Sequence, residues 1–331
     1  MDTAIALIGD VMLGRLVDEL VVGDVSVRPE DPWDEVLPLL AAADLRFINL
    51  ECVISARGHA WRPESKAFHF RARPRAIEFL KAAGIDCVTL ANNHVLDYGP
   101  EALLDCLDLL DQAGIKRAGA GRDVNEASEP ALVDGPGGPV AVLALTDNEA
   151  EWEAGAAIPG THYVSIDSHG LKEPYRSRLG KVLRLAKNRA ALVVVGAHAG
   201  PNWGAPSREL RALAKDVIDL GADVYWGHSN HTPQGIEIHD GKPILYSTGD
   251  FLDDYAVDEH ERNDLSFLFI LELQGGRMTG LRLHPVTIDD CRVRPARGRD
   301  ADFLRWSMTA RCAAFGTLVE FHGHVGRIVL A

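Results

Sequence analysis

Cysteine is scarce in this chain, and basic charge is scarcer than acidic. Each shortage argues against a class of protein. The five cysteines, Cys52, Cys87, Cys106, Cys291 and Cys312, are odd in number and scattered, with no C-x-x-C pair. They read as reduced, mostly buried thiols of a reducing compartment rather than a disulfide framework. Lys and Arg number 34 against 48 Asp and Glu, a formal charge of −14. Grip on a nucleic-acid backbone needs Lys and Arg to displace counterions, so no nucleic-acid partner is expected. The same charge repels anionic substrates unless a local cation reverses the field. Long apolar runs are also missing, and nothing approaches the ~18 residues of a membrane helix. The start, Met1 to Asp10, has no basic lead, and its apolar run stops at an acid, unlike a signal peptide. A cytoplasmic location without membrane insertion is therefore expected. Repeats and low-complexity tracts are absent.

What is present is a core. Over 331 residues, 47% are hydrophobic and 25% charged, enough for one large α/β domain or two ordinary ones. Short apolar strands are expected at Ala4 to Gly9, Leu45 to Ile48, Asp86 to Leu90, Val140 to Thr146, Leu192 to Gly196 and Asp223 to Trp226. Between them the pattern predicts helices. One runs from Trp33 to about Ala43, N-capped by Asp31 and interrupted at Pro38; others are Pro74 to Ala83 and Glu101 to Gln112, then Tyr175 to Arg189 and Ser207 to Leu220. Gly119 to Pro139 reads as a loop around one short strand, Ala131 to Val133, and Asp147 to Leu171 as an insertion near the site. After residue 231 the texture becomes strand-rich, with tight turns at Asp240-Gly241 and Gly275-Gly276. Ala301 to Ala313 is a final helix and Leu318 to Leu330 a closing hairpin. This order predicts two packed sheets with helices outside, in a single domain over 1–331 with a core at about 4–285 and a C-terminal extension at 286–331.

The chemistry gathers at strand ends, where α/β proteins place their ligand crevices. The run Val224-Tyr225-Trp226-Gly227-His228-Ser229-Asn230-His231 leaves a strand through a glycine and offers two imidazoles three residues apart. Four other strand ends offer Asp10, Asn49 with Glu51, Asn93 with His94, and His198. Mixed carboxylate, amide and imidazole ligands suit Mn, Fe or Zn rather than a thiolate zinc site. A carboxylate such as Glu51 can bridge two ions, and ions ~4 Å apart activate a water and hold phosphoryl oxygens.

Gly9-Asp10-Val11-Met12-Leu13-Gly14-Arg15, Asn49-Leu50-Glu51, Asn92-Asn93-His94 with Asp97-Tyr98-Gly99, and Gly227-His228 with His231 resemble the CapA family. This is the poly-γ-glutamate capsule-synthesis group, related to calcineurin-like metallophosphoesterases. Lys242 to Phe251 resembles its later signature. The resemblance implies a metallophosphoesterase-like α/β sandwich of two mixed β-sheets flanked by α-helices. It also implies two divalent transition-metal ions (Mn, Fe or Zn). By position, Asp10 and His231 would bind one ion, and Asn93, His198 and His228 the other; Glu51 would bridge and Asn49 add an oxygen. His94 would face the substrate as proton donor, Asp97 would orient it, and Arg15 would clamp an anionic group. Met12 stands where many phosphoesterases have a ligand histidine, and Asp250 where the family has asparagine. The N-terminal anchor of membrane-bound capsule proteins is not apparent.

The expected function is a metal-dependent hydrolase, a phosphoesterase using a two-metal centre and metal-bound hydroxide on a small-molecule or polymeric anionic substrate. The alternatives are an accessory protein of poly-γ-glutamate synthesis and a metal-dependent amide or γ-glutamyl hydrolase. The sequence leaves substrate and oligomeric state open.

Overall fold

The computed structural model describes residues 2–62, 64 and 66–330, and its organising pattern is burial with a period of two. In the strand Gly138–Thr146, Val140, Val142 and Ala144 face one apolar layer while Ala141, Leu143 and Leu145 face another. Leu192–His198 divides the same way, with Val194 on one side and Val193, Val195 and Ala197 on the other. In Thr3–Val11, Ile5 and Leu7 share the first layer, whereas Ala6 and Ile8 enter a third. Side chains alternate across a strand, so one that is apolar at every position must be covered on both faces. Three apolar layers therefore lie between four sheets of structure: helices, β, β, helices.

One β-sheet runs in the order Glu320–His322, Val325–Val329, Arg277–Asp289, Leu265–Gln274, Thr3–Val11, Leu45–Leu50, Cys87–Thr89, Lys116–Ala118. The last four are parallel and the others antiparallel. The second has a parallel centre, Lys242–Leu245, Val224–His228, Leu192–His198 and Gly138–Thr146, with an antiparallel strand at each edge. Helices Ala76–Ala82 and Gly99–Ala113 cover the first sheet, and Tyr175–Lys187 and Arg208–Asp219 the second. Gly99–Ala113 carries Pro100 in its first turn and stops at Gly114, φ 75°. Ser207 caps the Arg208–Asp219 helix by accepting from Leu210 N.

Several expectations are corrected. Asp31 does not cap a helix: its carboxylate accepts from Arg28, and the chain forms a 3-10 stretch, Asp31–Val36, before a short helix, Leu37–Ala41. Asp34 has φ 39° there and accepts from Arg294 Nε, so a tertiary ion pair replaces regular helix. Helix Gly298–Ala313 sends Leu304, Met308 and Cys312 between the sheets, and the final hairpin extends the first sheet. The stretch read as a loop from Gly119 also holds a one-and-a-half-turn helix, Val124–Ser128, capped by Asp123. All five cysteines are buried and free. Among the described residues no helix is long and apolar enough to cross a membrane.

Candidate metal centre and substrate pocket

Strand register assembles the site. Asp10 lies opposite Asn49 on one side and Asp250 on the other, and His198 lies opposite His228 in the second sheet. Asp10, Asn49, His198 and His228 are at or next to the C-terminal ends of parallel strands, and Asp250 opens the short strand Asp250–Leu252. Between Leu245 and Asp250 the chain leaves the second sheet and joins the first, passing under both sets of ligands. Two glycines let it through. A Cβ at Gly9 would stand 2.0 Å from the Gly249 carbonyl oxygen, and one at Gly227 would stand 2.2 Å from that of Tyr246.

Two groups of ligand-type atoms result, Asp10 with His198 and His228, and Asp10 with Glu51, His231 and Asp250. Asp10 is common to both, whereas Glu51, expected to bridge, belongs to the second. Its Oε1 still lies 3.8 Å from His198 Nε2, and its Oε2 accepts from Tyr255 Oη at 3.0 Å. His231 Nδ1 is 2.9 Å from Asp250 Oδ1. Asp250, noted in the sequence as standing where the family has asparagine, is thus a ligand candidate. Its one signal was a carboxylate at yet another strand start after glycine.

The residues fit a cation. Asp10 Oδ2, Asp250 Oδ2, Asn93 Oδ1 and both ring nitrogens of His228 are buried without a hydrogen-bond partner. Each such atom costs about 1–3 kcal/mol if nothing satisfies it. Burial pushes the carboxyls of Asp10 and Asp253 up to about 7, and those of Glu51 and Asp250 well above their ordinary range. It pushes His228 down to about 3 and His198 well below the usual imidazole range, the latter helped by His228. A cation placed among these groups would favour the ionised carboxylates and neutral imidazoles that a ligand set requires.

Asn49 is turned the other way. His94 N donates to Asn92 Oδ1, so Asn92 Nδ2 faces Asn49 Oδ1, which also accepts from Thr89 Oγ1. Asn49 Nδ2 is left to donate to Asp10 Oδ1 at 2.8 Å and to meet His198 Nδ1 at 3.2 Å. Its oxygen points away from the cluster, and the residue orients two ligands. Asn93 has the opposite pose, with Nδ2 3.2 Å from His94 Nε2 and Oδ1 free.

His94 Nδ1 lies 2.6 Å from Asp97 Oδ2, so Nδ1 keeps its proton and donates it in a hydrogen bond to that carboxylate, leaving Nε2 turned outward. The ring stacks on Phe70 at 3.8 Å, and burial lowers its pKa against the opposing pull of Asp97. Asp97 also accepts from Phe70 N and pairs with Lys66 Nζ at 2.9 Å. Lys66 in turn reaches the Asn93 carbonyl, Glu149 and the face of Trp152. Sequence reasoning missed Lys66 and Phe70, since neither sits in a strand-end motif.

Above the cluster opens a cavity of about 300 Å³ with Glu51, Asn93, His94, His198 and His231 on its floor and Arg15, Phe68, Phe70, Trp203 and Tyr255 on its walls. Asn202 and Trp203 complete the wall. Residues 147–171 do not line it; they brace it from behind, Asn148 donating to the His198 carbonyl. Trp152 packs beneath Lys66.

The profile of the family described as bacterial capsule synthesis protein PGA_cap matches residues 4–255, which hold every strand end just named. The chain belongs to this family. A probable polyglutamine synthesis accessory protein of Mycobacterium tuberculosis is 31% identical, covering 94% of this chain and 91% of its own. The capsule biosynthesis protein CapA of Bacillus anthracis is 29% identical over 75% of this chain and 59% of its own. The PGA biosynthesis protein CapA of Bacillus subtilis is 27% identical over 75% and 63%. Within this CapA family fold, the C-terminal residues beyond 255 complete the first sheet.

Proposed function

We propose that this CapA-family chain is a metal-dependent hydrolase that serves the synthesis or handling of a poly-glutamate polymer. The chemistry rests on one observation: two ligand groups sharing Asp10 lie beneath a pocket whose floor takes Glu51, His198 and His231 from them and carries His94 beside them, oriented by Asp97. The setting is supported by the names of the relatives. Two divalent transition ions (Mn, Fe or Zn) would polarise a phosphoryl or carbonyl oxygen and make water acidic enough to attack near neutral pH. Asp10, Glu51, His231 and Asp250 would hold one, and Asp10, His198 and His228 the other, with the Asn93 oxygen in reserve. Tyr255 steadies Glu51, and Asn49 steadies Asp10 and His198. Asp97 keeps the His94 proton on Nδ1, so Nε2 takes up a proton and returns it to the departing oxygen or nitrogen.

The second reading is an accessory protein that binds polymer without turnover. It is favoured by the word "accessory" in the name of the mycobacterial relative. Metal analysis joined to a panel of phosphoesters and γ-glutamyl amides separates the two. His231→Ala is expected to lose metal and activity, and His94→Ala to keep metal while turnover falls by roughly 10²–10⁴. Phosphate release marks phosphoester chemistry, and amine release marks amide chemistry. A purified chain without stoichiometric metal, inert toward both classes after Mn, Fe or Zn is added, defeats the hydrolase. Metal binding without turnover, together with co-purification with a synthetase, establishes the accessory role.

A further inference from the structure

Arg15 is the one Lys or Arg side chain among the described residues lining the cavity. Its guanidinium carbon lies 5.5, 5.7 and 6.0 Å from the ring centres of Phe68, Phe70 and Tyr255. Nε stands 3.5 Å from Asp254, whose carboxylate is otherwise held by Leu16 N at 3.0 Å. That long contact is the extent of its pairing, and neither terminal nitrogen makes a hydrogen bond to the described residues. A planar fork of donors is thus fixed by three rings and one carboxylate, with its outer edge free. The backbone is bent to place it: Arg15 has φ 50°, and a Cβ on the preceding Gly14 would meet Arg71 N at 2.9 Å. Left-handed backbone at a residue other than glycine is costly and gathers at ligand clamps.

The fork stands one ring away from the reacting floor on two sides. Phe70 stacks on His94 at 3.8 Å, while Tyr255 lies 5.1 Å from His231 and bonds Glu51. We propose that Arg15 is the specificity-determining residue of the pocket, its terminal nitrogens taking one carboxylate of a glutamyl chain whose linkage lies over His94 and the metal-ligand floor. This rests on the reading of the cavity as the substrate site. One guanidinium facing Glu51 across the same cavity matches a single planar carboxylate better than a phosphate dianion, which would keep unmatched charge. The aromatic walls accept the methylenes between successive carboxylates.

The test is calorimetric binding to the full-length chain treated with chelator, so that no turnover occurs. The probes are a four-residue γ-glutamyl oligomer, the same oligomer with its carboxylates converted to carboxamides, and inorganic phosphate. The amide oligomer is expected to bind wild type at least ~10-fold more weakly than the acid. Arg15→Gln should lose at least ~10-fold in affinity for the acid, and Arg15→Lys, which keeps charge but not the fork, should lose less. Manganese titrations should be unchanged in both variants. Equal binding of acid and amide by wild type, full acid affinity in R15Q, or dependence of phosphate rather than oligomer binding on Arg15 each overturns the assignment. The wild-type comparison decides even if a variant fails to fold. Arg15-dependent binding by a chain that hydrolyses nothing when loaded with metal sinks the hydrolase and leaves this proposal standing. Turnover indifferent to Arg15 does the reverse.

Discussion

Asp97 holds three partners at once: the His94 ring, the Phe70 amide and Lys66. Asp97→Asn keeps the volume but removes the charge that favours an imidazolium at His94 and pairs with Lys66. Turnover is expected to fall by roughly 10²–10⁴, as when a carboxylate behind a catalytic histidine is lost. Stability should drop by about 1–3 kcal/mol. Metal content should not change. Denaturant melts and metal analysis check the latter two, and an unimpaired D97N would reduce Asp97 to a turn residue. At this scale the sequence carried residue types but not their poses. Asp10, His198, His228 and His231 were legible because metal ligands must be carboxylates or imidazoles and these sit at strand ends. The direction of the Asn49 amide was not, because Thr89 and Asn92 decide it from neighbouring strands. Lys66 was illegible for a like reason, since its side-chain hydrogen-bond and ion-pair partners all lie at least 27 positions away.

The segment from Leu245 to Asp250 joins the sheets by passing within van der Waals reach of Gly9 and Gly227. Gly227→Ala would force its methyl into the Tyr246 carbonyl, which is backbone and cannot step aside, so a cost of about 3 kcal/mol or more is expected. Gly323→Ala, at φ 63° in the closing turn with open space around it, should cost only about 1 kcal/mol. Equilibrium unfolding in urea compares the two, and equal costs would mean the crossing is looser than described. The central strands were readable because burial on both faces writes continuous apolar runs. Lys116–Ala118 and Asp250–Leu252 were not, being three residues each among turns, too short to show a period. Asp34 escaped because Arg294, far along the chain, bends the backbone there.

For the molecule as a whole, the buried acids and imidazoles set opposite slopes of stability against pH. His94, His198 and His228 have folded pKa values below the usual 6.5, so their contribution is complete above that pH and is lost as pH falls. Asp10 and Asp253, raised to about 7, contribute fully near pH 4 and lose that contribution as pH rises through 7, and Glu51 and Asp250, raised well above their ordinary range, act in the same direction. Above pH 6.5 only the acids still change, so chelator-treated protein should melt at lower temperature at pH 8 than at 6.5. Added Mn should raise the melting temperature more at pH 8, because its ligands must first give up protons. A metal-free melting temperature that does not fall, with a gain from Mn independent of pH, would contradict this charge balance. Asp10 sits in both ligand groups, and that sharing gives the two positions a common point of failure. Among the ligands named here, loss of this carboxylate alone would empty both at once, while loss of His228 or Asp250 would leave the other position its full complement.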